Sequence, residues 1–594
     1  MAPTKPSTSP TAAGFVLLGG VCSFLASAAA IRAIRADLLL DAEPTWALPR
    51  FFLSLAVIVV GVAAGGLAVA AAHRLVPRVG PGLPGLPLSD GALAVLAAVS
   101  VLAGSLARLA SLSEIPWPMW VDDVSLLEPT LALRRAWSDF LPPVRAVPYV
   151  PGPAGGTVGV LYLELYRVGL DVWGTTVFGV RFPSLLGGIA SLLTAAWLGR
   201  RLLPRGGGAL VALILAGLRW HLIESRWGWN TIVLAPVLDV AAILLLRAMR
   251  RRSLAAALAA GAVAGIATHV YLAAWIGAAG LGLLALWPVA GAGGIVERAK
   301  RSALYAAGFA AVAGPLLLRP ASHPEWPRYF ARAHPFAYAR SLDGARALVP
   351  ALVTAADGMM APWLPDPLPR HDIPGRARLP WIVAIPAAAA YVRALLYPRD
   401  RLSAFLLAHA STALAGALAW GPRGHPNGFR YGYLTTILAV GAGAGVLWLL
   451  AWVADPRRRR LAAVSALGLL AIGGALGIRD TLAVWGTSRA TFDGFLGQDT
   501  LIARTALRWE SLGDVSIERE PGAAPPVVSR VTVDAVRKYD VVASPRSDGA
   551  QRHNLRVRIA GPAAAARSGE RAVERVVDGW GRAWGVVYAA AGDR

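Results

Sequence analysis

The sequence predicts an all-α, polytopic membrane protein with a small α+β domain at its C-terminal end. Composition is the first observation behind this. Hydrophobic residues make up 56% of the 594 residues and charged ones only 16%, with a mean hydropathy of +0.53, whereas soluble domains carry about 25% charged residues. The second is a recurrence of apolar runs near the roughly 20 residues needed to cross about 30 Å of hydrocarbon. The third is the placement of arginine, which alternates between one set of loops and the other.

Thirteen spans follow from the apolar runs, near residues 14–32, 51–72, 91–111, 181–200, 208–223, 230–247, 254–270, 272–290, 302–319, 379–397, 402–420, 431–453 and 460–478. Every second loop is basic: Arg74 and Arg78; Arg200, Arg201 and Arg205; Arg247 with Arg250 to Arg252; Arg298, Lys300 and Arg301; Arg399 and Arg401; Arg457 to Arg460. Loops rich in Lys and Arg stay cytoplasmic. The expected topology therefore has the N-terminus inside and the C-terminus outside. The same distribution explains the net charge of +23 without a nucleic-acid partner, because no single basic domain gathers it. The chain divides into residues 1–88 (polar tail, two spans and a Gly/Pro-rich linker), a transmembrane core over 89–478, and an outer domain over 479–594.

Cys22 is the sole cysteine, which excludes an intrachain disulfide and a cysteine-based zinc site. Lysine occurs only at positions 5, 300 and 538, which with the alanine and glycine load fits a GC-rich bacterial genome. The polar start, residues 1–13, precedes an apolar run without a small-residue cleavage site, and reads as leading into a retained helix.

Three outer segments are large enough to hold a site. Residues 112–180 contain the pair Asp122-Asp123, an expected amphipathic surface helix over 124–140, and an interfacial stretch over 157–170. Residues 320–378 are rich in Pro, His and Arg. The tail after residue 478 alternates β-prone runs (527–533, 539–543, 555–559) with an expected helix over 570–584.

The acid pair is the leading candidate for chemistry. A loop carboxylate at the membrane surface can take a proton from an acceptor hydroxyl, and a neighbouring acid helps raise its pKa; the plainer reading is a solvated acidic turn. Arginines outside run against the orientation bias. Arg226, and Arg430 with Arg423 and His425, stand at outer helix ends, where a guanidinium fork suits a phosphate. Alternatively each snorkels to headgroups or pairs locally, Arg226 with Glu224 for example. His269 and Tyr271 occupy a tight outer turn and could touch phosphate or sugar, or serve as helix cap and interfacial anchor. His323 and Glu325, followed by Arg328 and Arg332, offer two metal-type ligands without a third. No Gly-rich phosphate loop and no HExxH occurs.

Taken in order, Asp122-Asp123, Arg181-Phe-Pro-Ser-Leu-Leu-Gly-Gly, Ser225-Arg226, Leu246-Arg-Ala-Met-Arg-Arg, Gly261-Ala-Val-Ala-Gly, His269-Val-Tyr271, His323-Pro-Glu with Arg328 and Arg332, and Pro426-Asn-Gly-Phe-Arg430 resemble the GT-C superfamily of polytopic glycosyltransferases. The likeness is to the protein O-mannosyltransferase and aminoarabinose-transferase branch and covers about residues 89–478. It implies a transferase of the bacterial cytoplasmic membrane and cell envelope. Such an enzyme takes a sugar from a polyprenyl-phosphate donor to a hydroxyl acceptor on the extracytoplasmic face, with inversion in the better-known relatives. By that likeness Asp122, or Asp123, is the general base, while Arg226, Arg430 and His269 stabilise the departing phosphate. Some relatives use a divalent cation such as Mg or Mn; no cofactor is certain. The chain departs from the branch in its two additional N-terminal spans and in carrying Asp-Asp where Asp-Glu is usual. The rival class is a transporter or flippase of lipid-linked intermediates, which would favour inverted repeats and mid-membrane charges; no internal repeat occurs.

Overall fold

The computed structural model describes residues 80–120, 123–124, 126–132, 149–151, 157–271, 273–318, 363, 365, 368–420, 431–495, 497–510, 513–517, 555–560, 566, 568 and 570–590. The first two expected spans, the acid Asp122, the surface-helix residues 133–140 and the β-prone runs 527–533 and 539–543 lie outside them.

Helix α1 is Asp90–Leu109, α2 Leu127–Ala132, α3 Val160–Trp173, α4 Val177–Leu202, α5 Gly207–Ala216, α6 Arg219–Glu224, α7 Thr231–Arg251, α8 Leu254–Thr268, α9 Ala274–Leu286 and α10 Ile295–Leu318. They are followed by α11 Trp381–Leu396, α12 Arg401–Trp420, α13 Leu434–Ala451 and α14 Pro456–Arg479. Each of the remaining expected spans therefore meets a helix. Among the described residues, five helices are long and apolar enough to cross a membrane: α1, α4, α7, α13 and the continuous element Pro456–Trp485. The chain is a multi-pass membrane protein. α5, α8 and α9 are apolar but shorter.

One expectation is corrected here. The span over 208–223 is a helix of only ten residues ending at Gly217, after which α6 starts separately. The break lets Arg219, His221 and Glu224, all buried, reach polar partners that one straight apolar helix would deny them. The spans 379–397 and 402–420 are two helices bent by 105° at their junction. Arg393 Nη2 holds Asp400 Oδ2 there at 2.6 Å.

Small residues bring two helices of the bundle into backbone contact. A Cβ on Gly261 would stand 1.9 Å from the Tyr305 carbonyl oxygen, and one on Gly308 2.1 Å from that of Leu258. Helices α8 and α10 thus meet backbone to backbone, the device that replaces a hydrophobic driving force between helices in lipid.

The C-terminal part begins inside the helix that runs on to Trp485, through a π-helical turn at Asp480–Trp485. Helices α15 (Arg489–Gly494) and α16 (Gly497–Glu510) follow. Strands β3 Gly513–Ile517, β4 Leu555–Ala560, β5 Glu570–Val577 and β6 Ala583–Ala590 form a sheet of order β3-β4-β6-β5. β3 and β4 are parallel; the other two pairings are antiparallel. The sheet packs Ile559, Val576 and Val587 against Ile502 and Ala506 of α16. The expected strand at 555–559 is present. The expected helix over 570–584 is instead β5, a turn and the first two residues of β6. Of its valines, Val576 is buried in that core while Val573 and Val577 are exposed, and Gly581, at φ +81°, closes the turn between the strands. A short hairpin of β1 (Tyr149–Pro151) with β2 (Thr157–Gly159) leads into α3.

Candidate functional site

The loop between α1 and Asp123 is fixed by two buried arginines. At the end of α1, Ser111 takes a left-handed φ of 49°, leaving several carbonyls without helical partners. Arg226 fills them. Its Nη1 donates to the carbonyls of Ala107 and Arg108, both at 2.9 Å. Its Nη2 donates to Ala110 at 2.6 Å and Ser111 at 3.1 Å, and its Nε to Ile115 at 3.2 Å. Arg181, on α4, holds the next stretch, with Nη1 on the Leu112 carbonyl at 2.7 Å and Nη2 on that of Pro118 at 3.0 Å. A positive charge at a helix C-terminus also complements its dipole.

This arrangement corrects the reading of Arg226. All of its N–H groups are spent on main-chain carbonyls, so it closes a helix and does not present a fork to phosphate. It does not pair with Glu224 either: that carboxylate accepts from Thr231 Oγ1 at 2.8 Å and Trp220 Nε1 at 3.4 Å.

Asp123 is fully buried. Its Oδ2 accepts the Trp120 amide at 3.1 Å while its own amide donates to the Trp120 carbonyl at 2.9 Å. This is the reach-back half of a helix capping box, with the acid three residues after the cap. Tyr166 of α3 donates its hydroxyl to the Asp123 carbonyl. Gly228 lies close by, for a Cβ there would sit 3.2 Å from Asp123 Oδ1. The carboxylate of Asp123 thus helps to lock the turn.

Around the turn stands an aromatic wall. Trp227 and Trp229 lie with ring centroids 6.3 Å apart, Trp229 meets Tyr271 at 6.2 Å, and Trp227 meets Phe495 at 5.6 Å. Ser184 fixes Trp229 from below, donating to its carbonyl at 2.5 Å and accepting its amide at 3.0 Å. Asp123 and Tyr271 are therefore in one neighbourhood, joined through residues 228 and 229. His269 faces elsewhere: its Nε2 bonds the Val312 carbonyl at 3.0 Å, and its own carbonyl accepts the Leu161 amide at 3.0 Å. His323, Glu325, Arg328, His425 and Arg430 lie outside the described residues.

Sequence reasoning placed residues 320–378 among the segments able to hold a site but singled out no residue of 368–378. Arg219 Nε donates to Asp372 Oδ1 at 2.5 Å and its Nη2 to the Ala377 carbonyl at 2.6 Å, while Arg376 holds Asp480 at 2.5 Å. Arg370 lies over the Trp120 ring at 4.3 Å, which places a guanidinium beside the acid turn. Nothing but the local density of charge at Arg370-His371-Asp372 and Arg376-Ala-Arg378 announced this in the sequence. A second missed group, Arg108, His221 and Ser191, is a buried chain with His221 Nδ1 2.6 Å from Arg108 and Nε2 2.6 Å from Ser191 Oγ.

Among the described residues, no three of His, Cys, Asp and Glu come together as metal ligands. A cavity of about 770 Å³ lies among α1, α4 and α5, lined by Asp90, Trp197, Arg200 and Arg205. It is at the opposite end of α1 from the acid turn, some 30 Å away at about 1.5 Å per helical residue.

No protein-family model matches the chain, and no curated protein matches it in sequence. Solved structures similar to it include ArnT from Cupriavidus metallidurans, at 14% identity and a TM-score of 0.46, covering 84% of this chain and 98% of that one. The archaeal oligosaccharyltransferase AglB from Archaeoglobus fulgidus, in complex with an inhibitory peptide and a dolichol-phosphate, is similar at 15% identity and a TM-score of 0.45, covering 76% of this chain. The arabinosyltransferase EmbB from Mycobacterium smegmatis is similar at 14% identity and a TM-score of 0.35, covering 75% of this chain. This chain spans 64% of the length of AglB and 45% of EmbB. Likenesses at this identity and TM-score give no substrate and no mechanism for this chain.

Proposed function

We propose that this protein is a membrane glycosyltransferase that moves a sugar from a polyprenyl-phosphate donor to a hydroxyl acceptor on the extracytoplasmic side of the bacterial cytoplasmic membrane. The observation that carries this reading is the acid turn itself. Arg181, Arg226 and Tyr166 hold it rigidly at one end of an apolar bundle, and the arginine-rich helix ends of α4 and α7 lie at the other. Under the positive-inside rule that arrangement supports an outer position for the turn.

In the proposed reaction the carboxylate of Asp122 takes the proton of the acceptor hydroxyl. The oxygen forms a bond to the anomeric carbon of the donor, and the bond from that carbon to the phosphate oxygen breaks. Polyprenyl phosphate leaves with the electron pair, so the step needs a cation near the departing charge. Arg430 with His425, and Arg370 beside Trp120, are the proposed groups for it; Arg226, saturated by carbonyls, is not among them. Asp123 fixes the turn on which Asp122 is carried, and Tyr271 contributes to the wall that excludes water.

The test is mass spectrometry of envelope glycans and polyprenyl-phosphate sugars in a deletion strain carrying either wild-type protein or Asp122→Asn. Accumulated donor and a missing glycan residue, restored by wild type only, support the reading. Normal glycans in both, with altered export of lipid-linked intermediates, would replace it with a transporter.

A further inference from the structure

The segment 117–120, which leads directly into the acid turn, is gripped from the far end of the chain. Thr500 on α16 stands against Met119: its Oγ1 accepts the Met119 amide at 3.0 Å and lies 3.5 Å from the Met119 carbonyl oxygen. Trp117 is stacked on Phe492 of α15 at 5.9 Å, and the Arg504 guanidinium lies 4.6 Å from the Trp117 ring. Trp120 meets Phe495 edge-on at 6.4 Å, and Phe495 also touches Trp227 and Trp485 at 5.6 and 5.9 Å. Trp120 in turn exchanges both its amide and its carbonyl with Asp123. Two contacts therefore connect Thr500 to the acid turn, across 381 positions of sequence between Thr500 and Met119.

We propose that Thr500 is a positioning residue for the acid turn, so that the chain beyond α14 is a working part of the catalytic site. This rests on the reading of Asp122 as general base. The hydroxyl is buried, and it is the acceptor for an amide that the turn's own hydrogen bonds do not serve. Without it that amide lies buried and unpaired. Loosening Met119 loosens its neighbour Trp120, and with it the hydrogen bonds that Trp120 makes to Asp123. Displacements of about 1 Å at a reacting group can cost on the order of a hundredfold in rate.

The experiment compares full-length wild type, Thr500→Val and Thr500→Ser in detergent. Valine keeps the shape and removes the acceptor; serine keeps the acceptor. Hydrogen–deuterium exchange of the peptide holding Met119 is expected to speed up about five- to tenfold in Thr500→Val, the loss of one hydrogen bond, and to return to wild-type rate in Thr500→Ser. Transfer from polyprenyl-phosphate sugars extracted from the deletion strain should lose about tenfold in kcat in Thr500→Val, with donor KM unchanged and Thr500→Ser active. Unchanged exchange in Thr500→Val overturns the proposal, as does equal acceleration in both variants, or faster exchange with unaltered kcat. If wild type transfers nothing from the extract, the functional reading fails, and exchange alone decides whether Thr500 sets the turn.

Discussion

Arg226 donates to the main-chain carbonyl of Arg108 at 2.9 Å, so one buried arginine closes the helix that carries another. Arg108 itself reaches the Leu215 carbonyl at 3.1 Å and His221 at 2.6 Å. Two cations are thus held within protein at a helix end by carbonyl oxygens and an imidazole, with no carboxylate between them. For Arg226 such an arrangement depends on every donor being used. Replacing Arg226 by Gln should lower stability by about 3–5 kcal/mol, read as a large fall in Tm in detergent. If Arg226→Gln kept its Tm and lost only donor affinity, the helix-closing role would be wrong.

Asp123 and Asp122 should separate by their effects. Asp123→Ala removes the acceptor of the Trp120 amide and should cost about 1–2 kcal/mol, as for a lost helix cap. Asp122→Asn should leave Tm unchanged and reduce transfer by about 100-fold or more. Parallel thermal unfolding and glycan analysis of the two variants check this.

The Arg219–Asp372 pair is buried on both sides. Asp372→Ala leaves Arg219 with one carbonyl and a distant Asp480, at 3.8 Å, and should destabilise by about 3–5 kcal/mol. Limited proteolysis should then open the chain at 368–378 before any other described segment.

Asp578, in the β5–β6 turn, provides a pH test outside the membrane. Burial would raise its pKa, but hydrogen bonds from Trp584, from the Arg582 side chain and amide and from the Trp580 amide outweigh it, holding the carboxyl at about 2. A carboxyl depressed on folding contributes stability that is complete above its unfolded value near 3.9 and lost as pH falls towards the folded value. Tryptophan fluorescence of the C-terminal sheet should therefore hold to about pH 4 and change between about pH 4 and pH 2. In Asp578→Asn that contribution is missing at every pH. A wild-type transition centred above pH 5 would contradict the assignment.

Gly261→Ala brings a methyl group to 1.9 Å from the Tyr305 carbonyl oxygen. Backbone cannot yield as a side chain end can, so overpacking should cost roughly 1–3 kcal/mol. Gly468→Ala, with open space around its Cβ, should be silent in the same Tm assay.

The helices were legible because a membrane helix announces itself locally: twenty apolar residues are enough, whatever lies beside them. That is why α1, α4, α7 and α13 sit within a few residues of the expected spans. The failures fall where local pattern competes with a partner. Residues 208–223 read as one span by hydropathy, yet Arg219 and Glu224 required polar neighbours from 368–378 and α7. Residues 570–584 have helix-forming composition and became strands because β4 and α16 supply a face to pack on, and β propensity is mostly a matter of such context.

By itself the sequence determined that the chain lives in a bilayer, where its polar loops fall, and that an acid pair heads the first large one, since each of these depends only on neighbouring residues. Tertiary structure alone decided which polar groups are spent on holding that loop. Arg226, Arg181 and Thr500 look like binding residues or like nothing in a linear reading. Whether a guanidinium or a hydroxyl has donors and acceptors left for a substrate depends on carbonyls and amides brought to it from 63 to 381 positions away in the chain.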